Sequence, residues 1–413
     1  MSSIDILIKN ADELITLQGP STPRKKQEMN NLGIIKQGML AIDKGTIIDV
    51  GSDLDYDAEN IIDATGQIVL PGFIDPHTHL VFAGSREFEL DWKLHGLSYM
   101  DIKKKGGGID YTVNHTRAAS FDSLYGQATH RLNTMLSHGT TTCEAKSGYG
   151  LNYETEERIL DVHNKLHKNH SIDVVSTFLG AHAIPREKSP KEYVELVIDE
   201  MLPMAASRAE FCDVFCEKGF FSIDQSKRIL KEGKKLGLIP KIHADELVDN
   251  NGGKLAADLG AISAEHLLKI NRQSIQKMAE KNVIGVMLPG TPFSLMMKEY
   301  APARTMIDEG VTIALATDLN PNCYVENMQF MIQLACFNMN MTPAEAITAA
   351  TYNAACAIKR ENTIGSLSIG KQADVILLSI PNFQMIPYHF GINHVSTVIK
   401  KGQIVQTKGK NKQ

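Results

Sequence analysis

The sequence predicts an α/β protein: a (β/α)8 barrel of the TIM type, with a small β-sandwich-like domain formed by both termini. Apolar strand-like runs alternate with amphipathic stretches through the middle of the chain, which is the pattern of repeated βα units. Eight such runs can be counted, and both ends of the chain instead carry short strands and turns. We therefore expect the small domain at 1–66 and 361–413, and the barrel at 67–360.

The predicted small domain is built from short strands and tight turns. "IDILIKN" alternates between apolar and polar residues, "GMLAIDKGTIIDVG" predicts a hairpin around Lys44-Gly45, and "IIDATGQIVL" follows. The last part of the chain returns to this style with "ADVILLSI" and with "HVSTVIKKGQIVQ", a hairpin that turns at Lys401-Gly402. Two β-rich ends around a long middle indicate one domain built from both termini.

The predicted barrel strands are separated by amphipathic stretches such as "SLYGQATHRLNTMLSHG" and "SKRILKEGKKLG". An open doubly wound sheet is the alternative, but the count of eight and the absence of a G-x-G-x-x-G turn favour the closed barrel. In chain order the eight runs are "IVLPGFIDPHTH", "GTTTCEAKSGYG", "VVSTFLGAHAIP", "CDVFCEKG", "LIPKIHADE", "AISAEHL", "VIGVMLPGT" and "TIALATDLNPN".

The composition argues against several classes of partner. The formal net charge is −5, and no long basic block precedes the short C-terminal tail, so we expect neither nucleic acid nor a membrane surface as a partner. No apolar stretch reaches spanning length, and the charged N-terminal segment predicts neither a signal peptide nor an anchor. The six sparse cysteines are typical of reduced core thiols. We predict a cytoplasmic protein that acts on a small molecule.

Most predicted barrel strands end in polar residues that a protein core would not choose. The first ends in His77 and His79, which project from the same face because strand residues i and i+2 do so. His243 ends the fifth run and Asp318 ends the eighth. In a closed barrel these ends converge on one face, where three imidazoles and one carboxylate are a plausible metal site. The sequence therefore predicts one divalent metal ion, either zinc or iron.

These strand ends and several longer motifs resemble the amidohydrolase superfamily, which has H-x-H after the first strand, His after the fifth and Asp after the eighth. Within it, the chain resembles the imidazolonepropionase family of histidine degradation over nearly its whole length. The resemblance implies metal ligation by His77, His79, His243 and Asp318, and a homodimer. The motifs that carry it are "DPHTHLVFAGSRE", "GLSYMDIKKKGGGI", "GTTTCEAKSGYGL", "FLGAHAIP", "DVFCEKG", "HADEL", "SAEHL" and "ATDLNPN".

The same resemblance implies which residues contact the substrate and the product. Tyr99 would lie near the substrate, and Asn320 and Asn322 would contact the ring-opened product. Many bacterial members have Gly followed by Ser or Thr where this chain has Asn322-Cys323, so those two contacts depart from the family pattern. The residues implied to contact the imidazolone substrate are Arg86, Tyr149, His182, Glu246 and Cys323.

The implied reaction is hydrolysis of the ring C–N bond of 4-imidazolone-5-propanoate to N-formimidoyl-L-glutamate. Asp318 would accept a proton from the attacking water, and Glu246 would pass one to the departing ring nitrogen. His182 and His266 would donate hydrogen bonds to the carbonyl oxygen as negative charge develops there. Arg86 suits the propionate tail, because its planar fork matches a carboxylate in two hydrogen bonds.

Other interpretations of these residues stay open at this point. A cyclic-imide hydrolase or a nucleobase deaminase would share the metal ligands but would not need Arg86 and Tyr149 to hold a carboxylate tail. A catalytically inactive barrel scaffold is less favoured, because all four ligands are present. A carbamylated Lys146 that bridges two metals is a minor alternative. The helical face that contains His163 is predicted to be solvated.

Overall fold

The computed structural model describes residues 3–97 and 99–407, without the side chains of Tyr99, Met100 and Lys103. Two eight-stranded sheets organise the described chain. One contains parallel strands in sequence order, and the other is a mixed sheet assembled from both ends of the chain. Within the described ranges, no helix has the length and apolar character needed to cross a bilayer.

The strands and helices are numbered in chain order. The strands are β1 (Ile4–Ile15), β2 (Ile34–Asp43), β3 (Thr46–Gly51), β4 (Ala58–Asp63), β5 (Ile68–Pro71), β6 (Phe73–Asp75), β7 (Thr140–Lys146), β8 (Asp173–Ala181), β9 (Phe211–Cys216), β10 (Ile239–Ala244), β11 (Ser263–His266), β12 (Ile284–Met287), β13 (Ile313–Leu315), β14 (Val375–Leu378), β15 (Val395–Lys400) and β16 (Gln403–Thr407). The helices are α1 (Phe88–Leu94), α2 (Tyr99–Lys104), α3 (Ile109–Ala118), α4 (Phe121–Ser137), α5 (Tyr153–Asn169), α6 (Pro190–Leu196), α7 (Leu202–Ala205), α8 (Ile223–Lys235), α9 (Gly252–Leu259), α10 (Arg272–Lys281), α11 (Gly290–Ser294), α12 (Ala303–Glu309), α13 (Met328–Met339), α14 (Pro343–Ala349), α15 (Tyr352–Ala357) and α16 (Met385–Tyr388). Two further turns are a 3-10 helix at Lys26–Asn30 and a π-helix at Val197–Met201.

The predicted (β/α)8 barrel is confirmed. Strands β6 to β13 pair in sequence order as parallel neighbours, and each of the eight predicted runs overlaps one of them. A parallel bridge between Thr78, beyond β6, and Leu319, beyond β13, joins the first strand end to the last. Barrel strands are covered on both faces, and β12 shows the resulting apolar run, since all four of its residues are apolar or glycine and all are buried.

The helices begin where local residue types favour it. At α8, the Ser222 hydroxyl accepts the backbone N–H of Gln225, and the Gln225 side chain accepts the backbone N–H of Ser222, which makes a capping box. The buried positions of this helix follow the i, i+3, i+4, i+7 pattern of one apolar face. They are Ser226, Ile229, Leu230 and Gly233.

The first predicted run is divided between the two sheets. Strand β5 pairs with β14 and β1 of the terminal sheet, whereas β6 pairs with β7 of the barrel. The chain changes sheets at Gly72, where an added Cβ would lie 2.3 Å from Thr141, so only glycine fits. The prediction that the whole run is one barrel strand is wrong in its first half, because apolar periodicity does not tell which sheet a strand joins.

The terminal sheet has the strand order β16-β15-β14-β5-β1-β2-β3, and β4 pairs with the first half of β1. Both predicted hairpins are present, as β2–β3 and β15–β16. An isolated antiparallel bridge joins Thr46, on β3, to Gln372, which lies just before β14. Its core joins apolar side chains from both termini, among them Ile8, Leu40, Val69, Val375 and Ile399.

A buried ion cluster fastens the terminal sheet to the barrel. The Lys400 ammonium, on β15, lies 2.5 Å from the Asp374 carboxylate and 2.8 Å from the Asp173 carboxylate at the start of β8. The neighbouring Lys401 also pairs with Asp173, at 2.6 Å, but its side chain is 54% exposed. Of these two lysines, Lys400 is the one whose ammonium pairs with the buried Asp374 carboxylate, which is 3% exposed.

Lys400→Met should destabilise the protein by about 3–5 kcal/mol, because removal of one partner leaves a buried charge uncompensated. Lys401→Met is the matched control, and an exposed pair of this kind is worth at most about 1 kcal/mol. Urea unfolding of the two variants measures the difference. Equal midpoints would show that Lys400 adds nothing beyond a surface pair.

Candidate active site

The ends of the first and last barrel strands are held together by backbone hydrogen bonds. The N–H of His79 donates to the carbonyl of Leu319 at 2.8 Å, and the N–H of Asp318 donates to the carbonyl of His77 at 3.1 Å. Asp318 has a φ of 55°, in the left-handed region that aspartate tolerates better than most residues. This pairing brings His77, His79 and Asp318 to one point at the carboxyl ends of the strands.

The four predicted ligands converge there. The Nε2 atoms of His77 and His79 are 3.4 Å apart, and Asp318 Oδ1 lies 3.3 Å from the first and 3.5 Å from the second. The His243 ring, at the end of β10, is centred 4.6 Å from that of His77. Ligands at 2.0–2.1 Å around a tetrahedral metal lie about 3.3 Å apart. The observed spacing therefore matches atoms that share one ion.

The hydrogen bonding of these histidines also fits a cation. The Nδ1 atoms of His77 and His243 face the carboxylates of Glu265 and Asp213, at 2.5 and 2.9 Å. This arrangement leaves each Nε2 free to act as a ligand atom. His243 Nε2 is buried and has no hydrogen-bond partner among the described residues. An orphaned buried nitrogen is costly, so the donor set fits a metal ion such as zinc or iron.

His266 adds a second possible triad at the same point. Its ring nitrogen lies within 4.8 Å of ligand atoms of His77 and Asp318, so the geometry permits His266 as an alternative ligand to His243. A third group, Asp213, His243 and Glu265, already has the Lys146 ammonium at 2.8 and 2.9 Å from its two carboxylates. These overlapping groups describe one site rather than several.

A cavity of about 280 Å³ opens above the histidines. Its wall includes aromatic side chains, Phe215 and Phe220, that were not predicted. Cys323 lies outside it, with its Sγ 3.7 Å from the carbonyl of Thr317, and lines an adjoining cavity that shares Arg86 and Asn322 with the first. The predicted substrate and catalytic residues that the cavity brings together are Arg86, Tyr149, His182, Glu246, His266, Asp318, Asn320 and Asn322.

Tyr99 and Asn320, two of the predicted contacts, lie in α2 and in the loop after β13. Tyr99 begins α2, but its side chain lies outside the described residues. Asn320 uses its side chain to shape its own loop: Oδ1 accepts the backbone N–H groups of Asn322 and Cys323, and Nδ2 donates to the carbonyl of Asp318. Its side-chain amide thus holds the loop after β13 in a turn.

Arg86 lies at the rim of the cavity in a buried pair. Its Nε and Nη2 atoms donate to the two carboxylate oxygens of Glu89, both at 2.8 Å. Glu89 is 1% exposed and also accepts the backbone N–H of Gly108, which links the arginine to the glycine-rich loop. Glu89 thus holds one edge of the guanidinium fork, and the second edge is the one that a substrate carboxylate could use.

Burial and neighbouring charges set the protonation states of the two carboxyl groups. Burial, followed by the charge of Asp318, raises the pKa of Glu246 to about 8, so its carboxyl is protonated near neutral pH. Burial would also raise the pKa of Asp318, but hydrogen bonding to His77 and the nearby imidazoles holds it well below its usual range. The Thr291 hydroxyl donates to Asp318 at 2.5 Å. The site therefore pairs a carboxylate with a carboxylic acid.

His182 is held in one tautomer. Its Nδ1 lies 3.0 Å from the carbonyl oxygen of Gly148, and because a carbonyl only accepts, Nδ1 carries the proton. Burial lowers the pKa of His182 to about 3, so Nε2 stays unprotonated and is a hydrogen-bond acceptor. The ring stacks on His79 with centroids 4.8 Å apart. Donation from His182 to a substrate carbonyl oxygen stays a prediction, and it would require a proton on Nε2 in addition to the one on Nδ1.

Several residues of the site were missed in the sequence. Glu217 accepts the backbone N–H groups of Glu246 and Leu247 at 3.0 and 2.9 Å and so fixes the loop after β10. Glu217 and Glu265 lie in motifs singled out above, "DVFCEKG" and "SAEHL", and each ends an apolar strand-like run. A carboxylate residue at the end of an apolar strand-like run was the sequence signal that could have identified them.

The fold and the site together define a hydrolase of the amidohydrolase class. The amidohydrolase family profile matches residues 221–405. The chain is 51% identical to the imidazolonepropionase of Geobacillus kaustophilus over 98% of this chain and 99% of that protein, and 49% identical to that of Alkaliphilus metalliredigens over the same shares. It belongs to the imidazolonepropionase family, as its motifs predicted.

A comparison of solved structures shows the fold alone. A zinc-containing adenosine deaminase from Xanthomonas campestris superimposes with a TM-score of 0.72 at 16% identity, covering 98% of this chain and 93% of that one. Identity this low carries no information about the substrate.

Proposed function

We propose that this chain opens the ring of 4-imidazolone-5-propanoate by hydrolysis of a ring C–N bond, yielding N-formimidoyl-L-glutamate in histidine degradation. The observation that carries the proposal is the pairing, in one cavity, of a histidine–aspartate cluster with the arginine Arg86 at the rim. The first suits hydrolysis of an amide and the second suits a carboxylate tail. The relatives named imidazolonepropionase support the same substrate.

His77, His79, His243 and Asp318 would hold one divalent metal ion, zinc or iron. When bound there, such an ion polarises a carbonyl and makes hydroxide available from water near neutral pH. The choice between the two metals stays open, because imidazole and carboxylate ligands accept both. Glu265 and Asp213 would keep His77 and His243 oriented toward the ion.

Proton transfer would be divided between two carboxyl groups. Asp318, which stays ionised, accepts the proton of the attacking water. Glu246, which is protonated near neutral pH, donates to the departing ring nitrogen. His266 Nδ1 lies 3.7 Å from Glu246 Oε2, and its hydrogen bond to the substrate carbonyl stays a prediction. Asp318 is ionised and Glu246 is protonated, so one accepts the water proton while the other supplies a proton to the ring nitrogen. Neither proton therefore has to leave the cavity.

His182 would recognise the ring rather than its carbonyl oxygen. Its Nε2 offers a lone pair to the cavity, and the imidazolone ring carries an N–H that can donate to it. Tyr149 packs against the same histidine, with ring centroids 5.3 Å apart, and would help to hold the ring in place. The contacts predicted for Tyr99, Asn320, Asn322 and Cys323 stay predictions.

Arg86→Lys should lower kcat/KM by about tenfold or more, which corresponds to about 1.4 kcal/mol, because lysine keeps the charge but loses the fork. Steady-state kinetics on the propionate substrate measure this effect. Arg186→Lys, an exposed arginine on the outer surface, is the control and should leave kcat/KM unchanged. An unaltered kcat/KM in Arg86→Lys would mean that the tail is held elsewhere.

The proposed function is tested by assay of the purified protein for loss of imidazolone propionate and appearance of N-formimidoyl-L-glutamate, together with its metal content. A cyclic-imide hydrolase or nucleobase deaminase would bind metal but leave this substrate intact. An inactive scaffold would show no turnover with any of these substrates. Turnover of the substrate at a rate that tracks metal content is the expected result.

We also propose a cellular compartment and an oligomeric state for this protein. We expect a cytoplasmic homodimer that needs only its small-molecule substrate and no nucleic acid or membrane. Reduced buried thiols suit a cytoplasmic setting: of the six cysteines, all are free and five are buried. Light scattering coupled to gel filtration measures the oligomeric state directly.

A further inference from the structure

A network of buried charges lies beneath the metal ligands. The Lys146 ammonium, at the end of β7, lies 2.9 Å from the Glu144 carboxylate, 2.8 Å from Asp213 and 2.9 Å from Glu265. Lys241, on β10, pairs with Glu144 at 2.5 Å and with Glu265 at 3.1 Å. All five side chains are 0% exposed. We refer to these five residues as the lysine–carboxylate network.

Two oxygen atoms of this network face the ligand histidines. Asp213 Oδ2 lies 2.8 Å from the Lys146 ammonium and 2.9 Å from His243 Nδ1. Glu265 Oε2 lies 2.9 Å from the same ammonium and 2.5 Å from His77 Nδ1. Each oxygen therefore bridges one lysine to one proposed ligand. The Glu144 carboxylate, by contrast, contacts Lys146, Lys241 and Thr177, and it contacts no ligand histidine.

We propose that Lys146 is a positioning residue for two metal ligands at once, acting through Asp213 and Glu265. The proposal rests on the proposed function, in which His77 and His243 are ligands. An ammonium has three donors, and here each donor has one carboxylate oxygen, so its place determines the place of both bridging oxygens. His77 follows β6 and His243 lies on β10, strands that do not pair in the barrel, so Lys146 provides their shared reference point.

The charge balance explains why a lysine is needed there. Burial of three carboxylates away from solvent carries a large desolvation cost, and the Lys146 and Lys241 ammoniums are the cations in contact with them. Carbamylation of Lys146, the minor alternative above, would replace this cation with an anion facing three carboxylates. The geometry thus argues against a carbamylated lysine and for an unmodified, cationic Lys146 that pairs with all three carboxylates.

The test compares three isosteric variants of the network for binding of zinc. Asp213→Asn and Glu265→Gln each remove a bridging carboxylate, and we expect zinc affinity, measured by competition with a chelator, to fall about 10–100-fold. Glu144→Gln is the matched control, equally buried and bonded to the same lysines, and should change zinc affinity less than threefold. The visible spectrum of the cobalt-loaded protein should shift in the first two variants and not in the control.

A charge-balanced double variant covers the case in which a single variant does not fold. Lys146→Met combined with Glu144→Gln removes one positive and one negative charge, and it leaves Asp213 and Glu265 without their shared ammonium. We expect a folded metal-free protein by circular dichroism, with zinc affinity reduced as in the single variants.

Two outcomes would overturn the proposal. One is an equal loss of zinc in Glu144→Gln, which would make the network a general support of the core. The other is wild-type zinc affinity in the double variant, which would show that Lys146 does not position the ligands, whatever the two single variants do. Failure of the unaltered protein to bind zinc, iron or cobalt would instead overturn the proposed function, so the two failures are distinguishable.

Discussion

His243→Ala should lose most of its bound metal and nearly all of its activity. His243 supplies the only proposed ligand from the middle of the barrel, and its Nε2 has no other partner among the described residues. Metal ions contribute several kcal/mol of transition-state stabilisation, so kcat/KM should fall by about 10³-fold or more. Elemental analysis of the purified variant, together with its kinetics, measures both effects.

His266→Ala is the informative companion variant, because His266 belongs to the overlapping triad with His77 and Asp318. If His266 acts on the substrate, this variant keeps its metal and loses turnover. If the metal is retained in His243→Ala but lost in His266→Ala, then His266 is the ligand and His243 acts on the substrate.

Glu246→Gln should keep the metal and the fold and lower kcat by about 10²–10⁴-fold, the usual range for general acid–base assistance. The amide has nearly the same shape, but it cannot give up and regain a proton as a carboxyl does. Substrate binding should change less than kcat, because the backbone bonds from the 246–247 loop to Glu217 are untouched. Kinetics at matched metal occupancy make the measurement.

Asp249→Asn, an exposed carboxylate on the same loop, is the control and should leave kcat unaltered. A loss smaller than about threefold in Glu246→Gln would demote Glu246 to a positioning residue. Asp318 would then be the remaining proton carrier, and any coupled titration of the two groups would disappear from the pH–rate profile.

The sequence was most informative at the polar residues that interrupt an apolar strand-like run. Eight strand-like runs predict eight parallel strands because strands buried on both faces are rich in apolar residues, even though β7, β9 and β10 also carry buried charged residues. His77, His79, His243 and Asp318 were recognisable because each interrupts such a run at its end. The barrel topology then brings them together without any further information from the sequence.

What the sequence could not reveal is which distant side chain meets which. His163 was predicted on a solvated face, but this is wrong: it is fully buried and its Nδ1 lies 3.0 Å from the Ser176 hydroxyl of β8. The ion pair between Arg86 and Glu89, three residues apart, was also not predicted, and both side chains are buried at the rim of the cavity. Burial depends on elements far along the chain, and helical spacing alone does not report it.

The change of sheets at Gly72 has a consequence for the order in which the protein assembles as it is synthesised. One residue separates strand β5 from β6, the barrel strand that leads to His77 and His79, and the β5 partner β14 begins about 300 residues later. At about 5–20 residues per second, the ribosome needs about 15–60 s to supply that partner. During this interval the segment bearing His77 and His79 is tethered to an unpaired edge. The terminal sheet is therefore completed only when β14 emerges, after all four predicted metal ligands have been synthesised.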